Sequence, residues 1–216
     1  MPELALILLV GLLAAGVYFY RRRARLIAGD RMPGQLRAGA GLGSERKLQN
    51  VRAGGVLHLA AVGPDLEDFD VTVRARHEYQ QGTSRWYELE CDRGDATVWI
   101  DFEQDDGLEI AVALRKLKMR DLGIDKRDLE RMDEHEDGKL SFEGRTYHLD
   151  DSDRANFHRG GQPEAESLYY WDFEDDDGRR FLGIERWDDG SYDVTYSESV
   201  TAEQVTVYSV SGDAPE

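Results

Sequence analysis

The sequence predicts a mainly β fold: antiparallel sheets made of two similar meanders, sandwich or barrel-like in arrangement, preceded by one transmembrane helix. Three observations lead to the β prediction. From residue 56 onward apolar residues alternate with polar ones, acid–glycine turns separate the alternating runs, and the segment 85–112 recurs at 169–196. A period of two is typical of half-buried strands, whose successive side chains point to opposite faces of a sheet.

The first element is an uninterrupted apolar run at residues 4–20. As a helix it would be about 26 Å long, close to the ~30 Å hydrocarbon core of a bilayer. A cleaved secretory signal has its positive charge before the apolar run, whereas here Glu3 precedes the run and arginines follow it. Because such arginines stay in the cytoplasm, we expect a single-pass inner-membrane protein with its N-terminus outside and its C-terminal domain cytoplasmic. The topology-determining residues are Arg21, Arg22, Arg23 and Arg25.

Charge divides the chain into two parts. Residues 1–52 contain nine basic and three acidic side chains, a net charge of +6, and the other 164 residues contain 18 basic and 41 acidic ones, a net charge of −23. Phosphate binding needs clustered Lys and Arg, so the acidic body excludes nucleic acid as the main partner. Repulsion from anionic headgroups should hold this body off the bilayer, where a protein partner or a polycation can reach it. The oligomeric state stays open.

The basic stem ends at residue 27, and residues 28–47 are rich in glycine and lack a hydrophobic period, as in a flexible linker. The glycines at 39, 41 and 43 do not match the spacing of a nucleotide-binding loop. The folded domain is therefore predicted at 48–216. Its single cysteine, Cys91, provides no disulfide framework, which fits a reducing compartment.

Within this domain the alternation locates the strands. Val71, Val73, Ala75 and Tyr79 share one face of the first long strand. A hairpin is predicted at 139–149, with a turn at Glu143-Gly144. Further strands are predicted at 98–102, 108–114, 192–196 and 205–207, and short helices only at 122–131 and 201–204.

The repeat groups the side chains of both copies by face. Alternation places Tyr87, Leu89, Val98, Ile100 and Phe102 together, and their counterparts Trp171, Phe173, Leu182 and Ile184 are also apolar, so we expect these residues to point inward. The opposite face collects aromatic rings and carboxylates in both copies. Its candidate ligand-binding residues are Trp86, Glu90, Trp99, Glu103, Tyr170, Glu174, Phe181 and Glu185, and Glu88 and Asp172 share that face.

Such a face suits a cation, through ion pairing and cation–π contact, and basic peptides, polyamines and metal ions all qualify. Two plainer interpretations compete with this one. The face is a solvated sheet surface with cross-strand aromatic pairs, or it is buried between the two halves. Because charged residues on strand faces are usually exposed to solvent, the solvated surface is the favoured interpretation.

The sequence contains no recognisable catalytic or metal-binding motif, and it predicts no catalytic residue, no metal site and no cofactor. Residues 133–138 imitate the start of a calcium loop, but His135 and Gly144 occupy positions that need ligands. The histidines lack zinc-ligand spacing. Glu90 with Glu103, or Glu174 with Glu185, would be the carboxylate pair of a membrane-tethered enzyme, and a structural subunit of a membrane assembly is a further alternative.

Several short motifs resemble a bacterial family known only as domain-of-unknown-function family number 4178. They are Trp86-Tyr87-Glu88-Leu89, Trp99 with Glu103, Glu143-Gly144-Arg145-Thr146-Tyr147, and Ile184-Glu185-Arg186-Trp187 before Asp189-Gly190. The resemblance covers roughly residues 48–210. It implies a mostly β domain without known catalysis, linked to membrane-stress or polyamine-related systems. The family supplies no functional residues, and the anchor lies outside the shared region.

Overall fold

The computed structural model describes residues 46–104 and 107–211, which form one antiparallel sheet of eleven strands with a single α-helix. The predicted anchor at 4–20, its arginines and the linker up to residue 45 lie outside the described residues. Within the described ranges, no helix is both long and apolar enough to cross a bilayer.

The strands lie where alternation and turns predict them. They are β1 (Val56–Val62), β2 (Glu67–Gln81), β3 (Ser84–Asp92), β4 (Thr97–Gln104), β5 (Leu108–Leu117), β6 (Lys139–Phe142), β7 (Arg145–His158), β8 (Glu166–Asp175), β9 (Arg180–Trp187), β10 (Tyr192–Val200) and β11 (Val205–Ser209). Short 3₁₀ turns occupy Leu48–Asn50, Met119–Asp121, Arg159–Gly161 and Ala202–Gln204. The last of these replaces the short helix predicted at 201–204.

The helix α1 (Lys126–His135) begins four residues later than predicted. Gly123 has a φ of +70°, which is incompatible with a right-handed helix at that position. Asp125 then caps the helix, because its carboxylate accepts the backbone N–H groups of Arg127 and Asp128. Local capping, rather than the apolar period, therefore sets the first residue of α1.

Eight strands close into a ring in the order β2-β3-β4-β5-β10-β9-β8-β7, and the pairing of β2 with β7 completes it. The closing contact pairs Tyr79 with Phe157 and the residues on either side of them. β2 has 15 residues and β7 has 14, so each can pair with two strands along one edge. The other half of that edge carries β1 on β2 and β6 on β7, and β11 pairs with β1.

In the pairings of neighbouring strands around the ring, three β-bulges change which face a side chain occupies. The register leaves one extra residue at Arg74 in β2, at Leu114 in β5 and at Asp150 in β7. The prediction of one continuous face in β2 is therefore wrong. Val73 pairs with Cys91 on the outer side of the ring, whereas Ala75 pairs with Glu90 on the inner side, because the bulged residue reverses the alternation.

The apolar faces are buried as predicted, but they point away from the centre of the ring. On one half of the ring, Leu89, Ile100 and Phe102 pack under the first strand and the 3₁₀ turn before it, against Leu57 and Leu48. On the other half, a second cluster packs under α1 and β6. Its members include Trp171, Phe173, Leu182, Ile184, Leu129, Met132 and Leu140. Both cores therefore lie outside the ring, and its lumen is left to the aromatic and acidic face.

Candidate functional site

The aromatic–acidic face lines the lumen of the ring. In β3 and β4, Trp86 pairs with Glu103 and Glu90 pairs with Trp99. In β8 and β9, the same relation joins Tyr170 to Glu185 and Glu174 to Phe181. All eight candidate residues of the sequence analysis therefore share one inner surface, and each carboxylate lies opposite an aromatic ring.

Contacts across the ring show that these side chains point inward. The Tyr79 hydroxyl on β2 hydrogen-bonds to the carboxylate of Glu185 on β9. The ring centroids of Trp86 and Tyr170, on β3 and β8, are 5.9 Å apart. The Tyr170 hydroxyl also lies 3.0 Å from Oε1 of Gln81 on β2. None of these strand pairs are neighbours in the sheet, so the contacts pass through the lumen.

An aromatic cluster fills part of the lumen. The Tyr79 ring stacks on Trp86 at 5.2 Å between centroids and contacts Phe157 at 4.9 Å. Trp187 meets Phe157 edge-on at 5.2 Å. Tyr170, Ala155 and Leu168 complete the cluster.

Beside this cluster the lumen opens into a cavity of about 610 Å³. Among the described residues that line it are six carboxylates and two cations, Lys116 and Arg159. Arg159 is already paired, since its Nε lies 3.0 Å from Oε1 of Glu166. Of the eight candidates only Trp99 and Glu185 line this cavity, and the others line different parts of the inner surface.

Two carboxylates of the lumen, Glu88 and Asp101, lie directly opposite each other on β3 and β4. Like charges in such a pair repel, which favours the protonated form of one of them. Burial raises the pKa of Asp101 to about 7, against the opposing effect of Lys116. Burial, followed by the charges of Asp101 and Glu185, raises the pKa of Glu88 well above its ordinary value. Both carboxyl groups of the pair therefore lose their protons at a higher pH than isolated carboxylic acids do.

Two more carboxylates behave in the same way. Burial raises the pKa of Glu185 to about 7, while the hydrogen bond from Tyr79 lowers it. Burial and then the charge of Asp151 raise the pKa of Asp172 to about 8. The Asp172 side chain is nevertheless exposed to solvent. A side chain on the inner wall of an open ring is surrounded by protein and still reached by water, so the direction of its pKa shift holds but its size is reduced.

His77 lies at the edge of the cavity and is buried. Its Nδ1 accepts the backbone N–H of Gly160 at 3.0 Å, and its Nε2 lies 3.7 Å from Oε2 of Glu90. Burial lowers the pKa of His77, although the Glu90 carboxylate opposes this. The neutral imidazole thus fixes the turn Arg159–Gly161 beside the opening.

The register separates the two carboxylate pairs considered for catalysis. Trp99, the partner of Glu90, is four residues from Glu103 along β4, and the same offset separates Glu174 from Glu185. At about 3.3 Å per residue this is roughly 13 Å, beyond the ~5–9.5 Å between the carboxylates of glycosidases. The carboxylates that lie directly opposite each other in the lumen are instead Glu88 with Asp101, Glu185 with Asp193 and Asp172 with Asp151.

Sequence reasoning missed several residues of the lumen. Asp101 lies between Trp99 and Glu103 in the same alternation, so the period of two could have found it. His77 and Lys116 lie beyond bulges that reverse the alternation, and no local signal marks those bulges. Asp133, in the calcium-like segment, instead accepts hydrogen bonds from Ser152 Oγ and Trp171 Nε1.

Within residues 46–104 and 107–211, no group of three or more His, Cys, Asp or Glu side chains is arranged to hold a metal ion. A family profile described as "Domain of unknown function (DUF4178)" matches residues 64–202, more than half of the chain. No curated protein and no solved structure matches the chain.

Proposed function

Because the chain belongs to this family of unknown function, no activity carries over from a relative, and we propose that the ring lumen binds a small organic cation of the polyamine class. The observation that carries the proposal is the cavity, where the opposed carboxylates Glu185 and Asp193 lie beside aromatic rings, and where Glu88 on the wall faces Asp101. Three properties of the cavity support it, namely its charge, its walls and its size.

The charge of the cavity favours a cation. Its six carboxylates exceed its two cations by four, and the pairing of Arg159 with Glu166 leaves this excess unchanged because it removes one of each. Repulsion from Asp101 is one cause of the raised pKa of Glu88, and a proton on Glu88 relieves this repulsion. An ammonium group between these carboxylates would relieve the same repulsion and donate charge-assisted hydrogen bonds.

The walls of the cavity favour an organic cation over a bare ion. Tyr79, Trp99 and Trp187 present aromatic surface beside the carboxylates. Such rings attract ammonium groups through their π faces and pack against methylene groups. A linear polyamine alternates ammonium groups with methylene segments, and therefore matches both components of the wall.

The size of the cavity favours a small molecule. Its volume of about 610 Å³ lies within the ~300–1,000 Å³ typical of small-molecule pockets. A folded basic protein is too large to enter it.

Titration calorimetry of the full-length protein in detergent, with spermidine as the probe, tests this proposal. We expect saturable binding by the wild type. The double variant Asp101→Asn/Glu185→Gln should lose roughly a hundredfold or more in affinity, since each of the two charge-assisted hydrogen bonds contributes about 1.5–3 kcal/mol.

The matched control is Glu130→Gln/Glu134→Gln, which removes the same number of charges from the exposed surface of α1. We expect it to bind spermidine as the wild type does. Equal weakening by the two double variants would show that only overall charge matters, and the absence of wild-type binding would also refute the proposal.

A second candidate function is acid–base catalysis, which the raised pKa values of Asp101 and Glu185 favour. Mass spectrometry of the probe after prolonged incubation separates the two functions. Spermidine recovered unchanged supports a binding site, whereas a new product that depends on Asp101 supports an enzyme.

We further propose that the ring is held at the cytoplasmic face of the inner membrane. This proposal is supported by the apolar run 4–20, which is followed by Arg21, Arg22, Arg23 and Arg25. Cys91 is fully buried, so an Asp30→Cys variant should provide the main accessible thiol. A membrane-impermeant thiol reagent should not label this variant in intact spheroplasts but should label it after lysis, and ready labelling of intact cells would contradict the topology.

A further inference from the structure

Lys116 enters the lumen because of the bulge in β5. Tyr196 pairs with Arg115 and Ser197 pairs with Ala113, which leaves Leu114 as the extra residue. Ala113 faces the lumen, so strict alternation would turn Arg115 inward and Lys116 outward. The bulge reverses both directions, which is a recurrent use of bulges next to functional sites.

The two neighbouring cations consequently have different surroundings. The Arg115 guanidinium lies outside the ring, about equally far from the rings of Phe142 and Tyr196, at 5.3 and 5.2 Å, and 2.5 Å from Oε1 of Glu143. The Lys116 Nζ lies inside, 5.4 Å from the centroid of Trp99. This distance is within the ~6 Å range of a cation–π contact.

The Lys116 ammonium interacts electrostatically with three carboxylates from three strands. Its charge lowers the pKa values of Glu88 on β3, Asp101 on β4 and Glu185 on β9. Lys116 therefore presents a primary ammonium group where carboxylates converge beside an indole ring. An ammonium group of the proposed ligand would meet the same surroundings.

We propose that Lys116 is a tethered occupant of the ammonium site in the lumen, and that a ligand must displace it. This inference rests on the proposed function. A side chain tethered to the wall competes at an effective concentration of about millimolar or more. Displacing Lys116 lowers the affinity of every ammonium ligand. A ligand with several ammonium groups also reaches other carboxylates and keeps a useful affinity, whereas a ligand with one ammonium group does not. Lys116 thus sets a threshold that polyamines pass and monoamines do not.

The test compares Lys116→Met with Arg115→Met in the full-length protein by calorimetry with spermidine and with n-butylamine. Each variant removes one positive charge and keeps an apolar side chain, but only the first acts inside the ring. We expect Lys116→Met to raise the affinity for both amines about tenfold, equivalent to about 1.4 kcal/mol. Arg115→Met and the charge-retaining Lys116→Arg should stay within about twofold of the wild type.

Several results would overturn the inference while leaving the proposed function intact. One is that the wild type binds spermidine and that Lys116→Met binds it equally well or more weakly. Another is that Arg115→Met gains as much affinity for spermidine as Lys116→Met does. Spermidine binding by Lys116→Met but not by the wild type would contradict both proposals, because the polyamine would then fail to displace Lys116. If neither the wild type nor Lys116→Met binds spermidine, the proposed function itself fails. Thermal melts check the folding of each variant, and Lys116→Gln replaces Lys116→Met if the latter does not fold.

Discussion

Phe173→Ala should lower the free energy of unfolding by about 3–5 kcal/mol, the usual cost of truncating a fully buried phenylalanine. Phe173 has no exposed surface and lies in the core between the ring and α1. The lost ring removes apolar contacts with Leu182 and its neighbours and leaves a cavity that a closed ring of strands cannot easily fill. Equilibrium unfolding in urea measures the effect.

The control is the adjacent residue. Asp172 points into the lumen, so Asp172→Asn should cause no comparable loss of stability. Comparing the free energies of unfolding of the two variants shows which side of the ring contains the stabilising core. A larger loss from Asp172→Asn than from Phe173→Ala would place the core in the lumen and contradict the fold described above.

As the second large effect, we expect the free energy of unfolding of the wild type to fall as the pH rises from 6.5 to 8.5. The pKa values of Asp101 and Glu185 are raised to about 7 and that of Asp172 to about 8, so the folded state holds protons that the unfolded chain has already released. A raised folded-state pKa of an acid contributes stability at low pH, and this contribution is lost as the pH passes through that pKa. The burial-lowered pKa of His77 has the opposite effect only below about pH 6.5, outside this window.

Water reaches the lumen, which reduces the size of these shifts. We expect a combined loss on the order of 2 kcal/mol, or roughly 4–8 °C in Tm for a domain of this size. Thermal unfolding followed by circular dichroism at the two pH values measures it.

The control for the pH effect is the triple variant Asp101→Asn/Asp172→Asn/Glu185→Gln. It should melt at nearly the same temperature at pH 6.5 and 8.5, and above the wild type at pH 8.5. Bound spermidine should offset the loss at high pH, since it replaces the protons. A wild-type Tm that is constant or rises toward pH 8.5 would contradict the ionisation behaviour of the lumen.

Much of the sheet follows from local pattern. The positions of the strands, and the grouping of Trp86, Glu90, Trp99 and Glu103 on one face, depend on the two-residue period of extended backbone and on turn residues close in sequence. The same holds for the second copy, where Tyr170 and Glu185 occupy the corresponding places. The start of α1 is also encoded locally, in the capping residue Asp125 rather than in the apolar period.

The alternation within each meander by itself determined which side chains share a face, and it correctly put aromatic rings and carboxylates together. Only the tertiary structure decided that this face is the inside of a closed ring and that the apolar face is covered from outside. Closure requires Tyr79 to pair with Phe157, and the bulge at Leu114 that sends Lys116 inward is defined only against β10. A side-chain period is a property of a few consecutive residues, whereas ring closure and bulge position are properties of pairings between distant strands.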